Sequence, residues 1–169
     1  MQNFVFVLDT NKQPLSPCHP ATARKLLKKQ RAAVYRRFPL TIILKAAKPD
    51  AAPQPIQLKV DPGSKTTGIA LVQHDGDGTA HVIFAAELTH RGAAIKAALE
   101  ARRAIRRGRR QRKTRYRPAR FHNRRKPEGW LPPSIQSRVA NLQTWVVRLR
   151  KLAPIVGLSL ELVRFDPQL

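Results

Sequence analysis

Acidic residues, cysteine and aromatic side chains are all scarce in this chain of 169 residues. Asp and Glu number 10 against 33 Lys and Arg, so the formal net charge is +23 at pH 7. The one cysteine, Cys18, excludes an internal disulfide and offers no framework for a zinc site. No uninterrupted apolar run is long enough to cross a membrane. The hydrophobic fraction of 42% nevertheless allows a folded core.

The excess positive charge is concentrated in residues 101–126, where fourteen of twenty-six residues are Arg or Lys and none is acidic. Twelve of them are Arg, whose planar guanidinium binds phosphate in a bidentate way. Such a density of charge repels itself unless a polyanion lies against it. We therefore predict a nucleic-acid-binding surface made of Arg102, Arg103, Arg106, Arg107, Arg109, Arg110, Arg112, Lys113, Arg115, Arg117, Arg120, Arg124, Arg125 and Lys126.

A long helix is predicted for the first part of this stretch, because residues 92–117 lack proline and are rich in good helix formers. The arginines cover a broad arc of this helix, and small or neutral residues fill the remainder. We predict that this second arc packs closely against a neighbouring surface; it consists of Ala94, Ala97, Ala101, Ala104, Gly108 and Gln111. After the helix, Tyr116, His122 and Trp130 either stack on unpaired bases or anchor a loop onto the core.

The N-terminal part of the chain predicts a small α+β domain. Its expected elements are three strands and one basic helix, at residues 3–8, 33–38, 40–45 and 21–30, respectively. We interpret Cys18-His19 as part of a turn rather than as a metal site. Residues 46–55, AAKPDAAPQP, are rich in Ala and Pro, which indicates a stiff linker.

The run IQLKVDPGSKTTGIALV, residues 56–72, is the most informative short motif. Apolar and polar residues alternate up to Asp61, which predicts a strand with one buried face. Pro62-Gly63 predicts a turn into a second strand, and a third strand is expected at residues 80–88, so the pattern indicates an antiparallel meander. The run lacks the pattern of a P-loop. Asp61 is therefore either a functional acid or a turn-capping aspartate.

The last third of the chain predicts a helix and then a strand. Ser134 is expected to cap a helix of residues 135–152. The apolar stripe of that helix is predicted to lie in the core and consists of Ile135, Val139, Leu142, Val146 and Leu149. A strand is expected at residues 157–165, with Glu161 on the face opposite its leucines. If a crossover returns this strand beside the one ending at Asp61, the two carboxylates converge.

Two carboxylates on adjacent strands can bridge a pair of divalent cations roughly 4 Å apart. Such ions activate water and stabilise the leaving oxygen in an in-line displacement at phosphorus. Mg²⁺ suits this work because it takes oxygen ligands and keeps several waters.

Five motifs in chain order resemble those of one family of nucleases. They are Pro14-Leu15-Ser16-Pro17, Asp61-Pro62-Gly63 with Gly68, the arginines of residues 102–110, residues 120–131, and Leu160-Glu161-Leu162 with Arg164-Phe165. In the same order, they are similar to five features of that family: the PLMP motif (with Ser16 in place of Met), the first RuvC motif, the bridge helix, the segment after it and the second RuvC motif. The family is IscB, the transposon-encoded RNA-guided nucleases with a split RuvC domain, and the resemblance covers essentially the whole chain.

The resemblance implies an incomplete RNase H-like mixed sheet, of α+β or α/β class, with a long Arg-rich bridge helix. It implies a PLMP-like domain, a linker, a first RuvC segment, the bridge helix with its basic extension, and a second RuvC segment, at residues 1–45, 46–55, 56–90, 91–126 and 127–169. It also implies a guide RNA on the bridge helix, a target DNA, two Mg²⁺ ions, and Asp61 and Glu161 as catalytic metal ligands. The guide would choose the target by base pairing.

Members of this family continue into an HNH domain and a third RuvC motif, whereas this sequence stops just after the second motif. We therefore expect the N-terminal portion of an RNA-guided DNA endonuclease, with little or no cleavage alone. The sequence is then a fragment, a truncated reading frame or one piece of a split protein. In the last case, a C-terminal polypeptide that supplies the HNH domain and the third motif is the expected partner. The expected location is a prokaryotic cytoplasm, with nucleoid association when DNA is bound and no membrane partner.

Two other functions stay open on the sequence. A non-enzymatic basic RNA-binding protein suits the size and charge of the chain, and it predicts that Asp61 and Glu161 lie far apart. An actin-like phosphotransferase is the third hypothesis, because Asp61, Gly63 and Gly68 also suit a loop that binds nucleotide phosphates. The basic helix argues against it.

Overall fold

A computed structural model describes residues 4–48, 51–76, 78–114 and 126–162. Within these ranges the chain forms eight strands and three helices, and the strands make two four-stranded sheets. Both sheets are mixed, since each contains parallel and antiparallel neighbours. The expectation of an α+β fold is confirmed at this level. None of the described helices is long and apolar enough to span a bilayer.

The first sheet has the strand order β2-β1-β4-β3. Its elements are β1 (Val5–Leu8), β2 (Pro14–Cys18), α1 (Pro20–Lys28), β3 (Ala32–Arg36) and β4 (Thr41–Leu44). The parallel pair is β1 with β4, while β2 and β3 pair antiparallel at the two edges. Strand β2 was not predicted, because prolines disfavour central strands; an edge strand tolerates them.

The Cys18-His19 pair connects a strand to a helix, since Cys18 ends β2 and His19 precedes α1. His19 is the N-cap residue, and its Nδ1 accepts a hydrogen bond of 3.2 Å from the backbone N–H of Ala21. The side chain thus satisfies a backbone donor that the first helical turn leaves free.

Strand β1 is buried on both faces and joins the two halves of the molecule. Val5 and Val7 pack with Ala23 of α1 in one core. Phe6 points the other way into the second core, where its ring centroid lies 5.8 Å from that of Phe84. Because successive side chains of a strand alternate between faces, one short strand serves both cores.

The second sheet has the strand order β7-β6-β5-β8. Its strands are β5 (Ile56–Pro62), β6 (Thr66–His74), β7 (Ala80–Thr89) and β8 (Ile155–Leu160). Strands β5, β6 and β7 form the antiparallel meander that the alternation of residues 56–88 predicts. Strand β8 returns beside β5 in parallel, with Val60 opposite Leu160.

Two helices make the crossover from β7 to β8: α2 (Gly92–Gln111) and α3 (Pro133–Arg150). The two helices begin side by side, since a Cβ at Gly92 would lie 3.8 Å from the Cβ of Ser134. The C-terminal half of α3 packs on the second sheet through Leu142, Val146 and the fully buried Leu149. A parallel pair needs such a crossover to bring the chain back to the starting edge.

The N-terminal half of α3 departs from the prediction. Ile135 and Val139 are 39% and 40% exposed, so the apolar stripe is core only in its later turns. Ser134 is not the cap either, because the N-cap residue is Pro132 and no side chain bonds there. The Pro132-Pro133 pair fixes the helical start in its place, since a proline suits the first helical position.

Strand β8 is shorter than predicted and carries an exposed apolar row. It ends at Leu160, and residues 163–165 of the predicted strand lie outside the described ranges. Val156, Leu158 and Leu160 are all exposed, because no described element covers the end of the sheet beyond β5.

Leu58→Ala will lower the free energy of unfolding by about 2–5 kcal/mol, because a fully buried leucine leaves a cavity. Leu158→Ala is the matched control. It is the register partner of Leu58 in the parallel pair and is 59% exposed, so its cost should stay below about 1 kcal/mol. Denaturant unfolding followed by circular dichroism measures both values. If both variants lost the same free energy of unfolding, the conclusion that the core covers β5 and leaves β8 exposed would be wrong.

Candidate functional site

Asp61 and Glu161 lie next to each other on neighbouring strands. They follow directly after the register partners Val60 and Leu160 of the parallel pair. The backbone N–H of Glu161 donates a hydrogen bond of 3.0 Å to the carbonyl oxygen of Val60, which continues the pairing by one step. Two acids that are a hundred positions apart in the sequence are thereby neighbours across adjacent strands.

The two carboxylates share the sheet face opposite the core. Gln57 Nε2 donates a hydrogen bond of 2.6 Å to Ser159 Oγ, so the odd-numbered side chains of β5 and β8 are on the same side. Ile56, Leu58 and the other even-numbered residues of β5 are buried on the opposite side. Period-two alternation therefore places Asp61 and Glu161 with Gln57 and Ser159.

A cleft of about 790 Å³ lies over this face of the sheet. We call it the acid cleft; its lining includes Gln57, Lys59, Asp61, Gly68, Ala70, Ala85, Glu87, Ser159 and Glu161. The central positions on β6 and β7 are small, which leaves a concave floor between the longer side chains at its ends. The depression is thus a direct product of Gly and Ala on the middle strands.

Glu87 is a third acid of this cleft that the sequence analysis missed. Gly68 is the register partner of Asp61 on one side and of Glu87 on the other, so the three positions form one row across the sheet. Counting back from the second hairpin turn would place Ala86 opposite Gly68, but a register shift between Leu71 and Val72 brings Glu87 into line instead. No pattern within β7 itself distinguishes this glutamate from a surface residue.

Glycine is needed at two positions beside Asp61. A Cβ at Gly63 would lie 2.1 Å from the carbonyl oxygen of Thr66, so no other residue fits this turn without backbone movement. At Gly68 a Cβ would lie 3.6 Å from the Cβ and 3.9 Å from Oδ2 of Asp61. The Asp61 carboxylate therefore leans over Gly68, whose missing side chain keeps the row open.

The donor set of the acid cleft consists of carboxylate oxygens, which are ligands of the type that Mg²⁺ takes. Asp61, Glu87 and Glu161 are all exposed and offer only carboxylate oxygens. Mg²⁺ is commonly held by one or two carboxylates and keeps several waters, whereas zinc prefers His and Cys ligands. Among the described residues no three His, Cys, Asp or Glu side chains are gathered closely enough to form a metal cage. The fit is that of an open, two-carboxylate site.

The arginine helix starts at the same edge of the sheet as the acids. Asp61 and Glu161 are at the carboxyl ends of β5 and β8, and β7 ends at Thr89, just before α2. Helix α2 has no buried residue along its 20 positions. The predicted binding residues of α2 are therefore all available to a ligand: Arg102, Arg103, Arg106, Arg107, Arg109 and Arg110.

The predicted close-packing arc of α2 was wrong within the described residues. Its small residues, from Ala94 to Gln111, are exposed, and a Cβ at Gly108 would meet nothing within 4 Å. The start of the helix approaches α3 at Ser134. No residue of the small arc is buried, so the arc packs against no described surface.

The basic extension after α2 is described only in part. Arg112 and Lys113 follow the helix and are exposed. Lys126 Nζ lies 4.1 Å from the ring centroid of Trp130, which is 42% exposed. This cation–π contact occupies one face of the indole and leaves Trp130 unburied. The other predicted contacts lie outside the described residues: Arg115, Tyr116, Arg117, Arg120, His122, Arg124 and Arg125.

His90 connects the sheet to the start of α2. Its Nε2 is 2.7 Å from the hydroxyl oxygen of the buried Thr67, and its Nδ1 is buried with no hydrogen-bond partner among the described residues. Burial lowers the pKa of His90, and the positive charge of Arg138 on α3 lowers it further. The neutral imidazole is therefore the form that suits this junction.

A family model described as RRXRR protein matches residues 5–169 of the chain. This domain is found in IscB-type nucleases. No curated protein matches the chain. The family match covers both sheets, the acid cleft and the arginine helix.

The stability of the protein will decrease as the pH falls from about 7 to 5, and part of this loss will be absent in His90→Gln. Because burial depresses the pKa of His90, the unfolded chain binds the proton more readily. The contribution of neutral His90 to the free energy of unfolding is therefore fully present above the ordinary histidine pKa of about 6.5. It is lost as the pH falls through the depressed pKa of His90. Thermal unfolding of both proteins across this range measures it. Parallel profiles would contradict the assigned environment of His90.

Proposed function

The chain belongs to the RRXRR protein family, and from that premise we propose that it acts within an RNA-guided, metal-dependent DNA endonuclease. In this role it binds guide RNA through α2 and supplies two carboxylates of a RuvC-type metal site. One observation carries the proposal. Asp61 and Glu161 are brought to adjacent positions on one sheet face, at the edge from which the arginine helix departs.

The strand arrangement supports the interpretation as an RNase H-like domain. A meander of three antiparallel strands followed by a crossover and a parallel fourth strand gives the mixed sheet that the RuvC interpretation requires. The crossover consists of α2 and α3, so the RNA-binding helix is an insertion between the two acid-bearing strands. Guide binding and the metal site are thereby connected through the same short β7–α2 junction.

The arginine helix is suited to hold an RNA backbone without reading its sequence. Its guanidinium groups are exposed, and Glu100 is the one acidic residue in the sequence of the helix. Contacts of this kind neutralise phosphates and release counterions, which gives affinity with little base specificity. Sequence choice in the target DNA is left to base pairing with the guide.

Asp61 and Glu161 would hold Mg²⁺ in the acid cleft, with Glu87 available on the far side of Gly68. Bound there, Mg²⁺ would supply charge stabilisation and an activated water for displacement at a phosphodiester of the displaced strand. The chain's own contribution is to hold the two carboxylates side by side on neighbouring strands. Gly68 leaves the space above it open, so that a substrate can approach them. Lys59 lies in the same cleft and can orient the anionic backbone.

The complete activity in this proposal requires further segments. A polypeptide that supplies the HNH domain and a third RuvC motif is the proposed partner, and it would add ligands to the two that this chain provides. The donor set of the acid cleft supports this division, since the described residues contain no group of three side chains that could hold a metal ion.

A non-enzymatic RNA-binding role is the second candidate function. The observation that favours it is the exposure of all three acids, without any three-ligand cage among the described residues. The wide separation of Asp61 and Glu161 that this role predicts is not found, because both residues line the acid cleft. Under this alternative the acid cleft has no catalytic use, and RNA binding by α2 is the whole activity. The two functions therefore differ in what the acids do and agree on the helix.

Replacing Arg102, Arg103, Arg106 and Arg107 by Gln will weaken binding to a structured RNA. Because each lost phosphate contact removes about 0.7–0.9 from the salt slope of the affinity, the four changes should lower that slope by roughly 3. Fluorescence anisotropy of a labelled RNA hairpin at several salt concentrations measures it. The matched control replaces Arg24, Lys25, Lys28 and Lys29, which are also exposed and basic. An equal change in the control would mean that net charge alone governs binding.

Asp61→Asn and Glu161→Gln will each reduce DNA cleavage by at least about 100-fold in a complex reconstituted with guide RNA and the partner polypeptide, because each removes a charged metal ligand. RNA affinity should be unchanged in both. Glu128→Gln, which removes an exposed acid outside the cleft, serves as the control. If the reconstituted complex cleaves equally well with Asp61→Asn, the nuclease assignment of these acids is wrong and the RNA-binding role remains.

A further inference from the structure

A second concave surface lies against the last turns of α3, whereas the first turn of α3 approaches the start of α2. One wall is formed by the β1–β2 turn and β3 of the first sheet, and the other by the last turns of α3. We call this depression of about 670 Å³ the basic cleft; its lining includes Lys12, Gln13, Tyr35, Arg36, Thr144, Arg148, Arg150 and Lys151. We propose that the basic cleft binds the phosphate backbone of a nucleic acid, as a surface separate from α2.

The charge of the basic cleft is positive and uncompensated. Five cations line it, contributed by both walls, and no acidic residue does: Lys12, Arg36, Arg148, Arg150 and Lys151. None of the five forms an ion pair with a carboxylate within the described part of the chain. The acid nearest in sequence, Asp9, is 6% exposed and accepts a hydrogen bond of 2.8 Å from the backbone N–H of Gln13. Its carboxylate is thus used within the turn.

The walls of the cleft are held by buried contacts. Leu8 and Leu152 form its floor and are almost fully buried. The guanidinium carbon of Arg148 lies 4.6 Å from the centroid of the Trp145 ring. Stacking restricts this side chain while its N–H edges stay free to bind oxygen, so less entropy is lost when a phosphate binds.

The basic cleft shares no residue with the predicted phosphate contacts of α2. The start of α2 approaches α3 at Ser134, where a Cβ at Gly92 would lie 3.8 Å from the Ser134 Cβ. The cleft lies against the last turns of α3 and the residues that follow, from Thr144 to Leu152. A ligand that contacts both surfaces benefits from a high effective concentration at the second contact.

The shape of the cleft favours a nucleic-acid strand over a lipid surface. A flat bilayer cannot enter a depression between two walls, whereas a phosphodiester backbone can lie along it. Arg provides bidentate contacts to phosphate, and the half-exposed Tyr35 offers a ring for stacking on a base. The proposal rests on the proposed function only in taking nucleic acid as the ligand, and it does not require cleavage.

The test compares two triple variants of the full chain with equal loss of charge. The cleft variant carries Lys12→Gln, Arg36→Gln and Lys151→Gln, which take cations from both walls. The control carries Arg24→Gln, Lys25→Gln and Lys28→Gln, all exposed on α1 and outside the cleft. Binding of an RNA hairpin, a DNA duplex and a single-stranded DNA is measured by fluorescence anisotropy over a series of salt concentrations. Thermal unfolding checks that both variants are folded.

The cleft variant is expected to lose about 2–3 from the salt slope with at least one probe, and the control less than about 1. The probe that responds identifies RNA or DNA as the ligand. Equal slopes in the two variants, or an unchanged slope in the cleft variant, would overturn the proposal even when the α2 variant binds weakly. Absence of binding by the unmodified chain to every probe would overturn both this proposal and the proposed function.

Discussion

The parallel pairing of β5 with β8 is the constraint on which the rest of the molecule depends. A parallel neighbour cannot be reached by a hairpin, so the chain must travel from the end of β7 over the sheet and back to its other edge. Helices α2 and α3 make that journey. The same pairing puts Glu161 one step beyond the Val60–Leu160 register pair. The position of the acids and the existence of a long crossover are therefore two results of one hydrogen-bonded ladder.

Much of this arrangement could be predicted from periodicity. The alternation around residues 56–88 predicted the meander, and the composition of residues 92–117 predicted the helix. The neighbourhood of Asp61 and Glu161 followed once a crossover was assumed. Glu87 escaped, because its importance comes from register with Gly68 across two hairpins rather than from any pattern in β7. The exposed half of α3 also escaped, since an apolar stripe indicates which face can be buried but not what covers it.

Charge in this protein is divided between two surfaces with different origins. The arginines of α2 are consecutive in sequence and visible in composition. The cations of the basic cleft come from distant positions, such as Lys12 and Lys151, and become a surface only when β1 joins the two sheets. Phe6 is central to that join, because it crosses from the first sheet into the core of the second.

Helix α2 contributes no side chain to either core. Its sequence is therefore constrained by helix propensity and by its ligand, and hardly by the fold. In evolutionary terms, arginines on this helix can exchange places or be replaced by lysine without loss of the folded state. Leu58 and Leu149 have no such freedom, because each fills a fixed space in the second core. Within this one crossover, the sequence of α2 should therefore diverge quickly among relatives, whereas the core residues of α3 should diverge slowly.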